Sequence, residues 1–421
     1  MIKTLRESLG LLATRRFGTF WFASLLSNIG TWAQQVAEPW LLLTLGASAL
    51  VIGLDSFAMN APVIALTLVG GALADRSDRR RVIALFQSIQ MLCPTVIVIL
   101  LIAHRVQPWM IVALSVIVGI TDALSMPSFQ SIVPSIVKRE QIDAALALNS
   151  TQFNLSRILG PSIAGVLMAS VGATASFVVS AASYVPFIGV ALWILPRRAI
   201  APPSSVPHTR RNPFTGIGEI LRQRQVGGAL LTVATTSLLC APIVTFTPLL
   251  VREEFHGGAG RFSTAVAAFG VGGLLGATSL LAVPRRIDRR VLSAACGLCY
   301  ALVLVLTAFN PWFWGVPALL VIAGSSMAVS NTSANSLLQS TAKPDQLGQT
   351  VSLFMLAVRG GMSLGAVITG ATVSALGVRR ALLVNGVIAI VIQVVVARRW
   401  LSGRTATARH RSEPSDVVEE P

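Results

Sequence analysis

The chain has 421 residues, 53% of them apolar, and a formal charge of +16 from 33 Lys and Arg against 17 Asp and Glu. Such a surplus could serve nucleic acid. Here, however, the basic residues are divided among short segments between long apolar runs, so they cannot form one continuous basic face, and nucleic acid is excluded as a partner. Runs of about 20 apolar residues are long enough to cross a bilayer, which makes membrane lipids the expected surroundings.

A basic arm at 1–16 (Lys3, Arg6, Arg15, Arg16) precedes twelve expected spans: 17–45, 48–73, 82–103, 108–130, 142–170, 173–196, 225–251, 262–284, 291–309, 312–336, 347–374 and 377–399. A polar linker rich in Pro and Arg fills 197–224, and a polar tail, expected to be disordered, follows at 401–421. The basic clusters at Arg76 to Arg81, Lys138 and Arg139, Arg197 to Arg224, Arg285 to Arg290, Lys343 and beyond Arg398 all fall on the side of the two termini. Cytoplasmic loops carry excess Lys and Arg, so both termini are expected in the cytoplasm. Arg105, Arg252, Arg261, Arg379 and Arg380 fall on the opposite side, and Arg379 and Arg380 at a span end can snorkel to the interface. No cleavable signal segment is expected.

The two halves repeat. Gly160, Gly165 and Gly172 fall on Gly365, Gly370 and Gly377 at one constant offset, and SDRRRV from Ser77 corresponds to IDRRV from Ile287. The expected fold is all-α: twelve transmembrane helices in two parallel-repeat six-helix bundles, 17–196 and 225–400. Parallel repeats of this kind suit alternating access around a site between the halves.

Ionisable groups inside a bilayer are costly and mark pathways or paired sites. Five are present: Glu38, Asp55, Asp122, Arg157 and Arg359. In span 1, Asn28, Thr31, Trp32, Gln35 and Glu38 fall within an arc of roughly 120° at 100° per residue, and this stripe is expected to line a central cavity. Glu38 or Asp55 could carry a coupling proton, since burial favours the neutral carboxyl in general. Asp122 could be a proton site or, as expected here, a partner for the basic loop near Arg76. Arg157 and Arg359, at mid-depth in spans 5 and 11, would suit an anionic or catechol-like substrate; the alternative is structural pairing. Asn149, Gln152 and Ser156 form a further polar stripe on span 5, as do Asn331 and Asn335 on span 10. Gly160, Pro161 and Gly165 could bend span 5 or simply let helices approach closely. Cys296 and Cys299 have redox or metal spacing, but no His accompanies them in a span, so neither a metal site nor a cofactor is expected.

The loop after span 2 reads Gly71-Ala72-Leu73-Ala74-Asp75-Arg76-Ser77-Asp78-Arg79-Arg80-Arg81. It resembles the loop signature of the major facilitator superfamily, departing from it at Asp78, where that pattern often has Gly. The segments SNIGTWAQQVAEPW and SRILGPSIAG resemble the branch that contains the enterobactin exporter and drug-efflux proteins. The resemblance implies that Gly71, Asp75, Arg76, Arg79 and Arg80 belong to a gating motif, with Asp75 bracing the inner gate near the start of span 11. It also implies a bacterial inner-membrane location. With no phosphate-binding GxxxxGK[ST] motif and no catalytic constellation, the expected function is secondary active transport and not enzymatic. The leading reading is proton-coupled export of a small organic molecule, siderophore or drug-like, by a monomer; uptake, or a non-transporting sensor on the same fold, is the alternative.

Overall fold

A computed structural model describes residues 10–195, 223–284, 287–341 and 347–401. Among these residues there is no strand, and twelve long helical rods follow one another. The first six are α1 (Phe17–Thr44), α2 (Ala49–Arg76), α3 (Arg79–Ile102), α4 (Pro108–Ile132), α5 (Ile142–Ser170) and α6 (Ala173–Trp193). Next, α7 runs as Arg224–Thr235, a π-turn at Thr236–Cys240, Pro242–Leu249 and a second π-turn at Leu250–Glu254. It is followed by α8 (Ala259–Ala282), α9 (Arg289–Phe309) and α10 (Gly315–Thr341). Then α11 consists of Leu347–Met355, a π-turn at Leu356–Gly360 and Gly361–Leu376, and α12 is Val378–Leu401. Every expected span corresponds to one rod. The expected arm, linker and tail lie largely or wholly outside the described residues.

Ten of the rods are long and apolar enough to cross a membrane on length and composition alone. The other two, α1 and α5, carry the polar stripes read from the sequence, and those stripes dilute their apolar character. Both pack inside the assembly, where polar faces can be shared with neighbours.

Local chemistry explains the helix starts. The side chain of Ser48 accepts from the backbone NH of Val51 at the start of α2, as N-cap residues do. Asp78 accepts from Arg80 NH at the start of α3, and Asp288 accepts from Arg290 NH at the start of α9. Asp78 and Asp288 also receive Arg80 Nε and Arg290 Nε in return. The Asp at the position where the family pattern often has Gly is thus a helix cap, and it recurs in the second half. Gly172 and Gly377, at equivalent places between α5 and α6 and between α11 and α12, both have positive φ, 104° and 81°, a conformation that favours glycine.

The packing follows the same repeat. In the first half α1 lies against α5 and α6, α2 against α4, and α3 against α4 and α6. In the second half α7 lies against α11 and α12, α8 against α10, and α9 against α10 and α12. Two main seams join the halves, α2 with α11 and α5 with α8, and the Pro242–Leu249 part of α7 also meets α1 and α2. The duplicated glycines sit at matching contacts. A Cβ on Gly160 would collide with α1 at Trp32 and Ile29, and one on Gly365 would collide with the Leu238 carbonyl of α7. A Cβ on Gly165 would strike Ser263 of α8 across one seam, and one on Gly370 would lie 2.7 Å from the Ala49 carbonyl of α2 across the other.

These close contacts lie toward the end of the molecule opposite the basic loops, here called the distal end. There a single apolar core draws on both halves, with Leu42, Ile52 and Phe177 from one and Phe246, Phe262 and Val378 from the other. Trp40 of α1 stacks on Phe262 of α8, their rings 5.4 Å apart and 12° from parallel. Arg252 donates to the Leu43 carbonyl at the C-terminal end of α1 (3.0 Å). At the basic end the core is divided: Phe17, Phe20 and Phe187 belong to one cluster, and Val226, Phe354 and Trp400 to another. Arg379, on the distal side by sequence, does not merely snorkel. It pairs with Glu254 and donates to the Ala308 and Asn310 carbonyls at the end of α9, where a cation is favoured.

The glycine contacts predict a contrast in stability. Gly365→Ala should destabilise the protein by about 1–3 kcal/mol, the usual cost of overpacking. Gly71→Ala, inside α2 with nothing within 4 Å of the added methyl, should leave stability unchanged or raise it by up to about 1 kcal/mol. Thermal unfolding in one detergent checks both.

Candidate functional site

The span-1 stripe divides between two faces of α1. Thr31 shares a hydrogen bond of 3.0 Å with Tyr184 of α6. One and two turns further along the same face, Gln34 Nε2 donates to Glu38 Oε1 (2.8 Å), and Ser180 of α6 donates to Gln34 Oε1 (2.8 Å). Asn28, Trp32 and Gln35 are half-buried on the adjacent face. An arc of 120° is wide enough to meet two neighbours, so Glu38 packs inside the first half and not on a wall shared with the second.

Asp55 of α2 lies in the same interior. It accepts from Ser115 of α4 at 2.6 Å, and its charge acts on Glu38. The two carboxyls are 2% and 4% exposed, and among the described residues neither has an ion pair. Both carboxyls were legible in the sequence as separate candidates. Their partners Ser115 and Ser180 were not, because serines in apolar helices carry no signal of which neighbour they meet. Gln34, four residues before Glu38 and therefore on its face, could have been found.

A second polar cluster bridges the α2–α11 seam. Arg359, in the π-turn of α11, donates to Asn60 Oδ1 of α2 at 2.9 Å, and Asn60 Nδ2 donates back to the Ser56 carbonyl. Arg359 also acts electrostatically on Asp122 of α4. The sequence reading gave Asp122 to the loop near Arg76, whose side chain lies outside the described residues. Asn60 was missed, since a lone Asn inside an apolar run does not announce a partner 299 positions away.

Arg157 has a different setting, although its helix is the counterpart of α11. Its guanidinium lies over the indole of Trp32, 5.5 Å from the ring centroid, and Trp32 meets Phe153 edge-on at 6.0 Å. The two arginines differ because they stand three residues apart in the repeat and α11 has a π-turn that α5 lacks. Helix α5 runs unbroken through Pro161, and its glycines serve as contact surfaces. On α5, Asn149 Oδ1 and Gln152 Nε2, and on α10, Asn331 Oδ1, are buried without a hydrogen-bond partner.

In the loop motif, the side chains of Asp75 and Arg76 lie outside the described residues. Arg79 donates to the Ser131 carbonyl near the end of α4 (3.4 Å) and Arg80 to the Leu192 carbonyl near the end of α6 (2.9 Å). Both bind helix C-termini, where cations are favoured. Among the described residues no group of three His, Cys, Asp or Glu could hold a metal.

Residues 7–421 match the family model described as Transmembrane secretion effector. The chain is similar to the staphyloferrin A transporter of Staphylococcus aureus, 24% identical over 380 residues that cover 89% of this chain and 94% of that one. It is also similar to the multidrug efflux pump Tap of Mycolicibacterium fortuitum, 25% identical over 364 residues, 85% of this chain and 88% of that one. Its fold matches a crystal structure of a variant of the nucleoside transporter NupG with a TM-score of 0.73 at 14% identity, covering 92% of this chain and 99% of that one. A family match over nearly the full length, on a duplicated helical fold that binds its own charges within and between its halves, means that the chain belongs to the transmembrane secretion effector family of the major facilitator superfamily, whose members are membrane transporters.

Proposed function

We propose that the protein is a proton-coupled exporter of small organic molecules, siderophore or drug-like, acting as a monomer in a bacterial inner membrane with both termini in the cytoplasm. The bundles 17–196 and 225–400 rock about the two seams, and α1 and α5 cross the membrane with the other ten helices. One observation carries the alternating-access reading: the apolar core is continuous across the halves at the distal end and divided at the basic end. A cleft open at the basic, cytoplasmic end admits cargo from inside, and opening the distal seal releases it.

The Glu38–Asp55 pair supports proton coupling. A buried carboxylate without a cation is expensive, and a proton on either group removes that charge. Gln34, Ser180 and Ser115 orient the oxygens, and α1 and α2 both contact the second half, so a change in this pair reaches the seams. The export direction agrees with the efflux relatives.

Glu38→Gln and Asp55→Asn are each expected to cut proton-coupled cargo movement to near background while leaving folded yield intact. The readout is dissipation of a pH gradient in everted vesicles challenged with catecholate siderophores, anionic drugs and lipophilic cations. Parent-like dissipation in both variants would remove this pair from the mechanism, and no dissipation by any compound in the parent would remove proton antiport.

Gly165→Leu is expected to wedge the α5–α8 seam open. An Ala47→Cys reporter at the distal turn should then react with an impermeant maleimide about tenfold faster, from roughly 1–3 kcal/mol of overpacking placed on the closed state. An unchanged rate would show that this seam does not seal the distal end.

A further inference from the structure

A groove on the outer face of the first half lies apart from the seams and from the buried charges. It has a volume of about 480 Å³ and runs between the turn that precedes α1, α1 itself and α6. The turn forms one wall because it is folded back on the helix it leads into. Leu11 is buried in the apolar cluster at the basic end, and a Cβ on Gly18 would collide with the Leu12 carbonyl. The floor is apolar and open: Phe22 is 56% exposed and Leu26 43%, with Pro186 and Val190 of α6 opposite. Arg15 lines the groove at its basic end.

The polar groups of this groove differ in what they have left to offer. Thr14 donates to the Leu11 carbonyl and Thr19 to the Arg15 carbonyl, so both hydroxyl protons are engaged. The Arg15 guanidinium is exposed and, among the described residues, has no hydrogen bond, ion pair or ring contact; Arg16 beside it is in the same state. A groove of about 400 Å³ at the start of α3 provides the contrast. Its arginine, Arg81, has the Asp78 carboxylate 3.9 Å away in the same wall, so that cation already has an anion.

Depth and charge together select a ligand. Arg15 to Leu26 spans about 16 Å at 1.5 Å per residue, close to half of the ~30 Å hydrocarbon core of a bilayer. The groove therefore spans one leaflet, with free cations at headgroup level and an apolar floor at acyl-chain depth. A guanidinium fork matches phosphate oxygens. A soluble anion would leave the apolar floor uncovered, and a lipid without net charge would leave the arginines uncompensated.

We infer that this groove binds one anionic phospholipid of the leaflet at the basic end, its phosphate on Arg15 and Arg16 and an acyl chain over Phe22, Leu26 and Pro186. Such a lipid differs from the general surroundings of the helices because it joins the turn before α1 to α6 at a fixed place. The inference goes beyond the exporter reading and holds whatever cargo is moved.

The test uses the full-length protein in a non-ionic detergent with phosphatidylglycerol and phosphatidylcholine of identical acyl chains. Bound lipid is counted by native mass spectrometry, and soluble glycerophosphoglycerol serves as the headgroup alone. The parent is expected to retain one phosphatidylglycerol about tenfold more tightly than phosphatidylcholine, the effect of two arginines on an anionic lipid. Arg15→Gln combined with Arg16→Gln should bring the two lipids level. The melting temperature of this variant without lipid should match that of the parent, since exposed surface substitutions have little effect. Leu26→Trp keeps both arginines but fills the floor, and should weaken phosphatidylglycerol retention about tenfold. Equal retention of both lipids by the parent, or an unchanged preference in the arginine variant, would overturn the assignment. So would parent-like retention by Leu26→Trp, or glycerophosphoglycerol binding as tightly as the intact lipid, since either would reduce the site to surface charge without a groove.

Discussion

The structure depends on how closely the helix backbones can approach at the distal ends of the seams. Gly165 against Ser263 and Gly370 against Ala49 leave no room for a β-carbon, and Gly53 of α2 is equally tight against the Ala366 carbonyl of α11. In a bilayer, association of apolar faces gains little from excluding water, so packing at small residues and hydrogen bonds between helices must hold the halves together. The contacts that close the distal end are therefore steric fits, reinforced by the Trp40–Phe262 stack and by Arg252 on the end of α1. Fits of this kind can part and re-form without breaking a covalent or strongly ionic link.

Around that steric frame the charges are disposed unequally. The first half keeps two carboxyls in its own interior with neutral hydrogen-bond donors, whereas Arg359 reaches across the α2–α11 seam to Asn60. The first arrangement can change charge without losing a cationic partner. The second ties a charge to the relative position of the halves. Arg157 of α5 lies over the face of Trp32 of α1 and, among the described residues, has no ion pair. The same duplicated scaffold thus holds three kinds of polar chemistry, and the π-turns of α7 and α11 belong only to its second half among the described residues. Bulges of this type recur at functional sites because they re-aim side chains, and Arg359 lies within one.

Much of the fold was legible in the residues. The positions of all twelve rods followed from apolar length and basic punctuation, and the duplication from glycines at a constant offset. The Asp78 and Asp288 caps could have been read as well, since an Asp just before a basic helix start is an N-cap signal. The candidate site was legible as a set of ionisable residues but not as a set of pairs. Arg359 reaches Asn60 across the seam, and Thr31 and Gln34 bond to α6 with Glu38 held by Gln34. Tyr184, Asn60, Ser115 and Ser180 gave no warning of their roles.

By itself, the sequence determined which segments form helices, where they are capped, and that the two halves share one design. These are consequences of local length, charge and backbone freedom, and they hold whatever the helices pack against. The tertiary structure alone decided which face of each helix meets which neighbour, and hence which charge is compensated. In an apolar helix the polar positions are few and the 3.6-residue period leaves a broad arc, so several partners are compatible with the same residues. Only the seams, brought together by glycines far in sequence from their contacts, choose among them.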